Sequence, residues 1–233
     1  MIKGKKITKK QLKQPDEFIT ITQRLFLFIE AHLKKISITG IIILAVILAL
    51  VIFQMWERRN EKDAQIKFNT AEESYQTAMS PYREGSPADY KAALAKFDEV
   101  IEEFPRTSSG RVSLLYKGNI HLKLGEYDEA IKAYQSFLGD AGKGKLYELF
   151  TWEGLGYAYE GKKDYEKALD AYQRAVALDE SFKSGEAYLN LGRCYEKMGK
   201  QKEALENYKN FLKVAQKSQM TNEVLRKVSL LEK

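Results

Sequence analysis

The run of residues 36–53, ISITGIIILAVILALVIF, has no charged side chain, and thirteen of its eighteen residues are Ile, Leu, Val or Phe. As a helix rising about 1.5 Å per residue it is about 27 Å long, enough to cross the hydrocarbon core of a bilayer. Side chains of this kind favour insertion by about 0.3–0.6 kcal/mol each, about 4–8 kcal/mol together, before Ser37, Thr39 and Gly40 are set against them. The segment is expected to span a membrane and to divide the chain into two parts on opposite sides of it.

Charge assigns the sides. Of the 38 basic and 32 acidic residues, nine and three lie in residues 1–56, which leaves 29 of each in the remaining 177. The overall +6 therefore belongs entirely to the span's N-terminal flank. Basic residues are retained on the cytoplasmic side, so the N-terminus is expected there and the long C-terminal part across the membrane. The same distribution removes nucleic-acid binding as an explanation of the high pI. A cleaved signal peptide does not fit either. The apolar core is too long and starts too late, and Met55-Trp56-Glu57-Arg58-Arg59-Asn60 follows it in place of a small-residue cleavage site. No Cys stands at its end for lipidation. The expectation is an uncleaved signal anchor at 35–56, and a span without an ionisable residue argues against a transporter or proton relay.

Residues 57–233 are rich in Ala, Leu, Tyr, Glu and Lys, and no stretch alternates apolar and polar residues as a strand would. They repeat. Ala93, Ala130, Ala168 and Ala204 are each followed four residues later by an aromatic, Phe97, Tyr134, Tyr172 and Tyr208, at spacings of 37, 38 and 36 residues. Gly118, Gly156 and Gly192 precede the last three alanines by twelve residues. The clearest copy carries Trp152, Leu155, Gly156, Tyr159, Ala168, Tyr172 and Ala175, which resembles the tetratricopeptide repeat, a helix–turn–helix unit of about 34 residues. The next copy has Tyr188, Leu191, Gly192, Tyr195, Ala204, Tyr208 and Phe211; the preceding one, looser, has Leu114, Lys117, Gly118, His121, Ala130, Tyr134 and Phe137. Small residues at the Gly and Ala positions let two helices approach, and the large residues near them fill the space.

The expected fold is all-α: one N-terminal transmembrane helix followed by a tetratricopeptide-repeat solenoid. Its parts are a basic cytoplasmic segment with an amphipathic helix (1–34), the anchor (35–56), a membrane-proximal helix and degenerate repeat (57–110), three repeats (111–216) and a capping helix (217–233). The first helix is expected to run from the span through Ala78 and to break at Ser80-Pro81 and Gly85-Ser86-Pro87. Val224, Leu225, Val228 and Leu231 are expected to close the last apolar face.

Little in the chain suggests catalysis. Two histidines and one cysteine are too few for a zinc site of the usual kind. His121 stands at a packing position of the repeat, His32 lies near the membrane, and Cys194 is expected to be buried. The GDAGKG stretch at 139–144 lacks the residues of a phosphate loop and reads as a connection, and Glu102-Glu103 as a solvated helix face. No enzyme, metal, cofactor or small-molecule substrate is expected. The candidate functional residues are first-helix positions facing the concave groove: Leu115, Asn119 and Leu122, then Phe150, Glu153 and Tyr157, then Leu189, Arg193 and Glu196. Asn119 resembles the asparagine of carboxylate-clamp repeats, but its companion lysine is replaced by Leu115, so chaperone C-terminal tails are not the expected ligand.

Before the span, PDEFITITQRLFLFIEAHLKK starts with Pro15, Asp16 and Glu17, a sound helix start. Phe18, Ile21, Leu25, Phe28, Ile29 and Leu33 lie along one side, expected to lie on the cytoplasmic membrane surface or to dock on another membrane protein. Phe18, Leu25, Phe28, Ile29 and Trp56 are the membrane-interface candidates. This layout, with QRLFLFIEAHLKKI before the span, resembles the YfgM-type family of bacterial inner-membrane proteins. The resemblance implies an ancillary subunit of the SecYEG translocon that links it to periplasmic chaperones, with protein partners and the lipid bilayer as its contacts. The alternatives are a scaffold for envelope, cell-division or pilus assembly, and an accessory domain that holds a substrate for a separate catalyst.

Overall fold

The structure, a computed structural model, describes residues 17–80, 85–139, 144–179, 185–215 and 217–232. The basic residues before Arg24, the helix start at Pro15 and Asp16, Pro81, the middle of the GDAGKG stretch and Glu180 lie outside the described residues, as does the side chain of Phe18. Among the described residues there are nine α-helices and no strand. The chain forms two compact units, Met1–Arg58 and Arg59–Lys233.

The first unit is helical throughout its described part. Helix α1, Glu17–Ala78, starts here and passes into the second unit. It is long and apolar enough to cross a membrane, and among the described residues nothing buries a side chain of its most apolar window. Leu25, Phe28, Ile29 and Trp56 are all exposed. No break in α1 separates the stretch before Ile36 from the apolar run; Lys34 and Lys35 sit within a continuous helix.

In the second unit, residues 59–78 of α1 bury Ala64, Phe68, Ala71, Tyr75 and Ala78, a stripe at alternating four- and three-residue steps. The helices that follow are α2 (Pro87–Glu103), α3 (Ser108–Leu124), α4 (Tyr127–Gly139), α5 (Lys145–Gly161), α6 (Tyr165–Asp179), α7 (Glu186–Lys197), α8 (Gln201–Val214) and α9 (Thr221–Leu231). Helix α2 begins at Pro87 behind a full capping box, Ser86 with Asp89. Phe68, Tyr75, Phe97 and Tyr116 then interlock edge-on and stacked, with centroids 4.9–6.4 Å apart, and Lys67 ion-pairs with Glu99 and Glu103. Residues of α1 also cap α3: the Glu61 carboxylate accepts the main-chain N–H of Ser108 at 2.8 Å and of Ser109 at 3.2 Å.

The hairpins α3/α4, α5/α6 and α7/α8 are built alike. A Cβ at Gly118, Gly156 or Gly192 would come within 2.4, 2.2 and 2.5 Å of the ring of Tyr134, Tyr172 and Tyr208 respectively. Glycine at these positions is thus required by contact, and each tyrosine ring fills the room it leaves. Each hairpin turns through a left-handed residue seven positions later, Gly125 (φ 74°), Lys163 (φ 62°) and Gly199 (φ 73°). The residue after it donates its N–H back to His121, Tyr159 or Tyr195. Helix α9 buries Val224 and Val228 against Tyr208, Phe211 and Ala215. Leu225 departs from expectation: it is 50 % exposed, while Leu231 is partly buried against the same cluster as Val224 and Val228. Cys194 is fully buried, and burial pushes its thiol up to about 11. His121 is buried too and meets Glu126 through Nδ1 at 2.6 Å.

Candidate functional site: the groove of the first helices

Each first helix of a hairpin packs one side on its second helix through the Gly and Leu positions and turns another side to a common groove. A cavity of about 880 Å³ opens there, lined by Tyr75, by Asn119, Leu122 and Lys123 of α3, by Phe150, Glu153, Tyr157 and Glu160 of α5, and by Arg193 and Lys197 of α7, with Tyr127, Gly154 and Gly161 between.

Six of the nine groove candidates line this cavity: Asn119, Leu122, Phe150, Glu153, Tyr157 and Arg193. Leu115 does not. It is 3 % exposed and belongs to the core with Ala130, Tyr134 and Leu155, so it offers a partner no surface. The physical reason is helical register: Leu115 sits three residues before Gly118, on the side that meets α4. Leu189 packs with the α8/α9 cluster, and Glu196 accepts the Tyr208 hydroxyl at 2.6 Å and pairs with Lys227 at 2.7 Å; neither lines this cavity.

The cavity wall is a polar network on an aromatic base. Tyr134, fully buried, donates its hydroxyl to Asn119 Oδ1 at 2.7 Å. Tyr157 donates to Asn190 Oδ1 at 2.9 Å, meets the Tyr172 ring edge-on at 5.8 Å, and carries the Arg193 guanidinium 5.1 Å above its own ring. Glu160 is the hub. Its Oε2 accepts the Tyr172 hydroxyl and Arg193 Nη2, each at 2.8 Å, and Lys197 stands 3.2 Å from Oε1. Burial pushes the Glu160 carboxyl up, but the hydrogen bonds from Arg193 and Tyr172 and the charges of Arg193 and Lys197 outweigh it and hold it below the usual glutamate range. Burial, with the Glu160 charge added, pushes the Tyr172 hydroxyl far up, so it is a fixed donor.

Glu160 and Lys197 were not among the sequence candidates. A signal for Glu160 existed: it precedes Tyr172 by twelve residues, as Glu196 precedes Tyr208, and in both hairpins the tyrosine hydroxyl binds that glutamate. Among the described residues no group of three His, Cys, Asp or Glu side chains is placed to hold a metal ion.

Residues 111–181 and 151–217 match the tetratricopeptide repeat family. With the paired helices and their glycine–tyrosine contacts, this part of the chain is a tetratricopeptide-repeat solenoid, and such repeats are protein-interaction scaffolds, generally without enzymatic activity. Solved structures share the fold. A crystal structure of MamA protein aligns with TM-score 0.56 at 20 % identity over 72 % of this chain and 80 % of its own. BtubC (BKLC) from P. vanneervenii aligns with TM-score 0.58 at 15 % identity over 75 % and 82 %. A tetratricopeptide repeat protein from Parabacteroides merdae aligns with TM-score 0.54 at 20 % identity over 71 % and 60 %. No curated protein sequence matches the chain.

Proposed function

We infer that the chain is a membrane-anchored tetratricopeptide-repeat scaffold whose groove binds protein partners on the periplasmic side of a bacterial inner membrane, linking the Sec translocon to periplasmic chaperones. The observation that carries the interaction reading is the groove itself, where Asn119, Leu122, Phe150, Glu153, Tyr157 and Arg193 from three successive hairpins converge on one cavity. The anchor reading rests on the apolar stretch of α1, whose side chains no other described residue buries. The sidedness rests on the basic excess before it. The translocon link rests on the resemblance of the layout and of QRLFLFIEAHLKKI to the YfgM-type family.

A photo-crosslinking residue at Phe150, which is exposed in the groove, tests the partner. Translocon subunits or periplasmic chaperones are expected among the products; recovery of cell-division or pilus components in their place would redirect the reading to envelope assembly. Protease added to cells is expected to cut residues 59–233 only after the outer membrane is opened, and cleavage from the cytoplasmic face alone would reverse the topology.

A further inference from the structure

The two joints between neighbouring hairpins are built differently. Where α5 meets α4, two glycines let the helices close. A Cβ at Gly154 would come within 2.5 Å of the Tyr134 ring, and one at Gly161 within 2.3 Å of the Tyr127 ring. Leu115, Ile131, Tyr134, Leu155, Ala158 and Ala171, from all four helices of the two hairpins, share one core cluster. Helices α3 and α5 also pack on each other, whereas α5 and α7 stand further apart. Thirty-six residues on, the step from Gly156 to Gly192, Asn190 and Lys197 occupy the positions of Gly154 and Gly161.

This second joint is held by a polar network. Tyr157 bridges from α5 to Asn190, and Glu160 to Arg193 and Lys197. The network is incomplete: Asn190 Nδ2 and Arg193 Nε are buried with no acceptor among the described residues. Such donors carry a desolvation cost without a return, and they regain water when the helices part. The apolar share of the joint is narrow, its buried α7 residues being Ala187, Leu191 and Cys194. Beyond it the end of the stack has a core of its own, Tyr208, Phe211, Val224 and Val228, with Tyr188 and Tyr195 of α7 packed on it. Parting α7 from α6 therefore leaves that core intact. We propose that the α6/α7 joint is a hinge on which α7–α9 swings as one folded body. Arg193 and Lys197 ride on α7 and form one wall of the cavity, so the swing changes the width of the groove while Tyr75, Asn119 and Phe150 stay with the preceding helices. The hinge belongs to the stack and does not depend on which partner the groove takes.

The chain carries its own reporter. Cys194, its single cysteine, is fully buried in this joint and meets a thiol reagent only when α7 leaves α6. The experiment is N-ethylmaleimide labelling of the full chain in detergent micelles without denaturant, read by intact mass, beside amide hydrogen exchange on the same sample. Cys194→Ala combined with Ala158→Cys moves the thiol to the corresponding place in the first joint, where Ala158 is also fully buried. With each rate divided by its value in the unfolded chain, Cys194 is expected to label about tenfold faster than that thiol or more, while the central amides of α7 and α8 stay protected. Tyr157→Phe cuts the bridge to Asn190 without altering a charge. It is expected to speed labelling of Cys194 about two- to tenfold, the weight of one hydrogen bond, and to leave the Ala158→Cys thiol unchanged. Equal normalised rates at the two places overturn the proposal, as does a Tyr157→Phe rate at Cys194 no higher than wild type. Exchange of the α7 and α8 amides in step with Cys194 labelling also overturns it, since the end of the stack then unfolds instead of swinging. If the Ala158→Cys variant melts early, the amide comparison and Tyr157→Phe decide on the Cys194 thiol alone.

Discussion

At the scale of single residues, the repeat is held by contacts that leave no latitude. At Gly156 an added methyl would meet the Tyr172 ring at 2.2 Å, so Gly156→Ala is expected to cost about 1–3 kcal/mol in denaturant unfolding, the scale of an overpacked core. Gly139→Ala, with nothing within 4 Å, serves as the neutral comparison. Lys163 holds the left-handed turn position that Gly125 and Gly199 hold in the neighbouring hairpins. That conformation costs a non-glycine residue about 1–2 kcal/mol, and glycine's freedom in the unfolded chain gives back about 0.4–1, so Lys163→Gly is expected to raise stability by up to about 1.6 kcal/mol. Glu160 contributes through its ionised form. With its carboxyl held below the usual range, its stabilisation is present above the ordinary glutamate value and is lost as pH falls through the lower folded value. Removing the Arg193 charge with Arg193→Gln is therefore expected to destabilise the fold at neutral pH, with the deficit shrinking on acidification; thermal melts of both proteins across acidic pH measure it.

At the scale of elements, the sequence spacings that announced the hairpins are the same ones that hold them. Gly118–Tyr134, Gly156–Tyr172 and Gly192–Tyr208 are each sixteen residues apart and in contact, so the period was readable because it records one local packing rule applied three times. The groove was less readable. Helical register alone reaches Asn119, Leu122, Phe150, Glu153, Tyr157 and Arg193, but it treats Leu115 as surface when the core claims it. It also passes over Glu160, whose role depends on Arg193 and Lys197 arriving from the next hairpin. Contacts between hairpins follow from how the repeats stack, and no period within one repeat encodes them. Leu225 shows the same limit at the end of the stack. Helix α9 covers Tyr208 and Phe211 with Val224 and Val228 while Leu225 turns away. Val224→Asp, which places a charge on that covered face, is expected to lower the melting temperature sharply and to increase binding of an apolar dye, whereas Leu225→Asp leaves both near wild type.

At the scale of the whole molecule, the two units differ in what they need. The apolar window of α1 in the first unit has none of its side chains buried among the described residues, whereas Arg59–Lys233 has its own core. Residues 59–233 alone are therefore expected to melt cooperatively as a helical, water-soluble protein by circular dichroism. Where such a shortened chain begins is decided by Glu61. The family match starts only at residue 111, and α2 at Pro87, so either looks like a natural place to cut. A chain begun beyond Glu61 would leave the N–H groups of Ser108 and Ser109 without the carboxylate that receives them, and one begun beyond Tyr75 would also strip Phe68 and Tyr75 from Phe97 and Tyr116. The practical frontier of the repeat domain thus falls within a few residues of the apolar stretch of α1, and anyone preparing it for partner capture has almost no linker to give away.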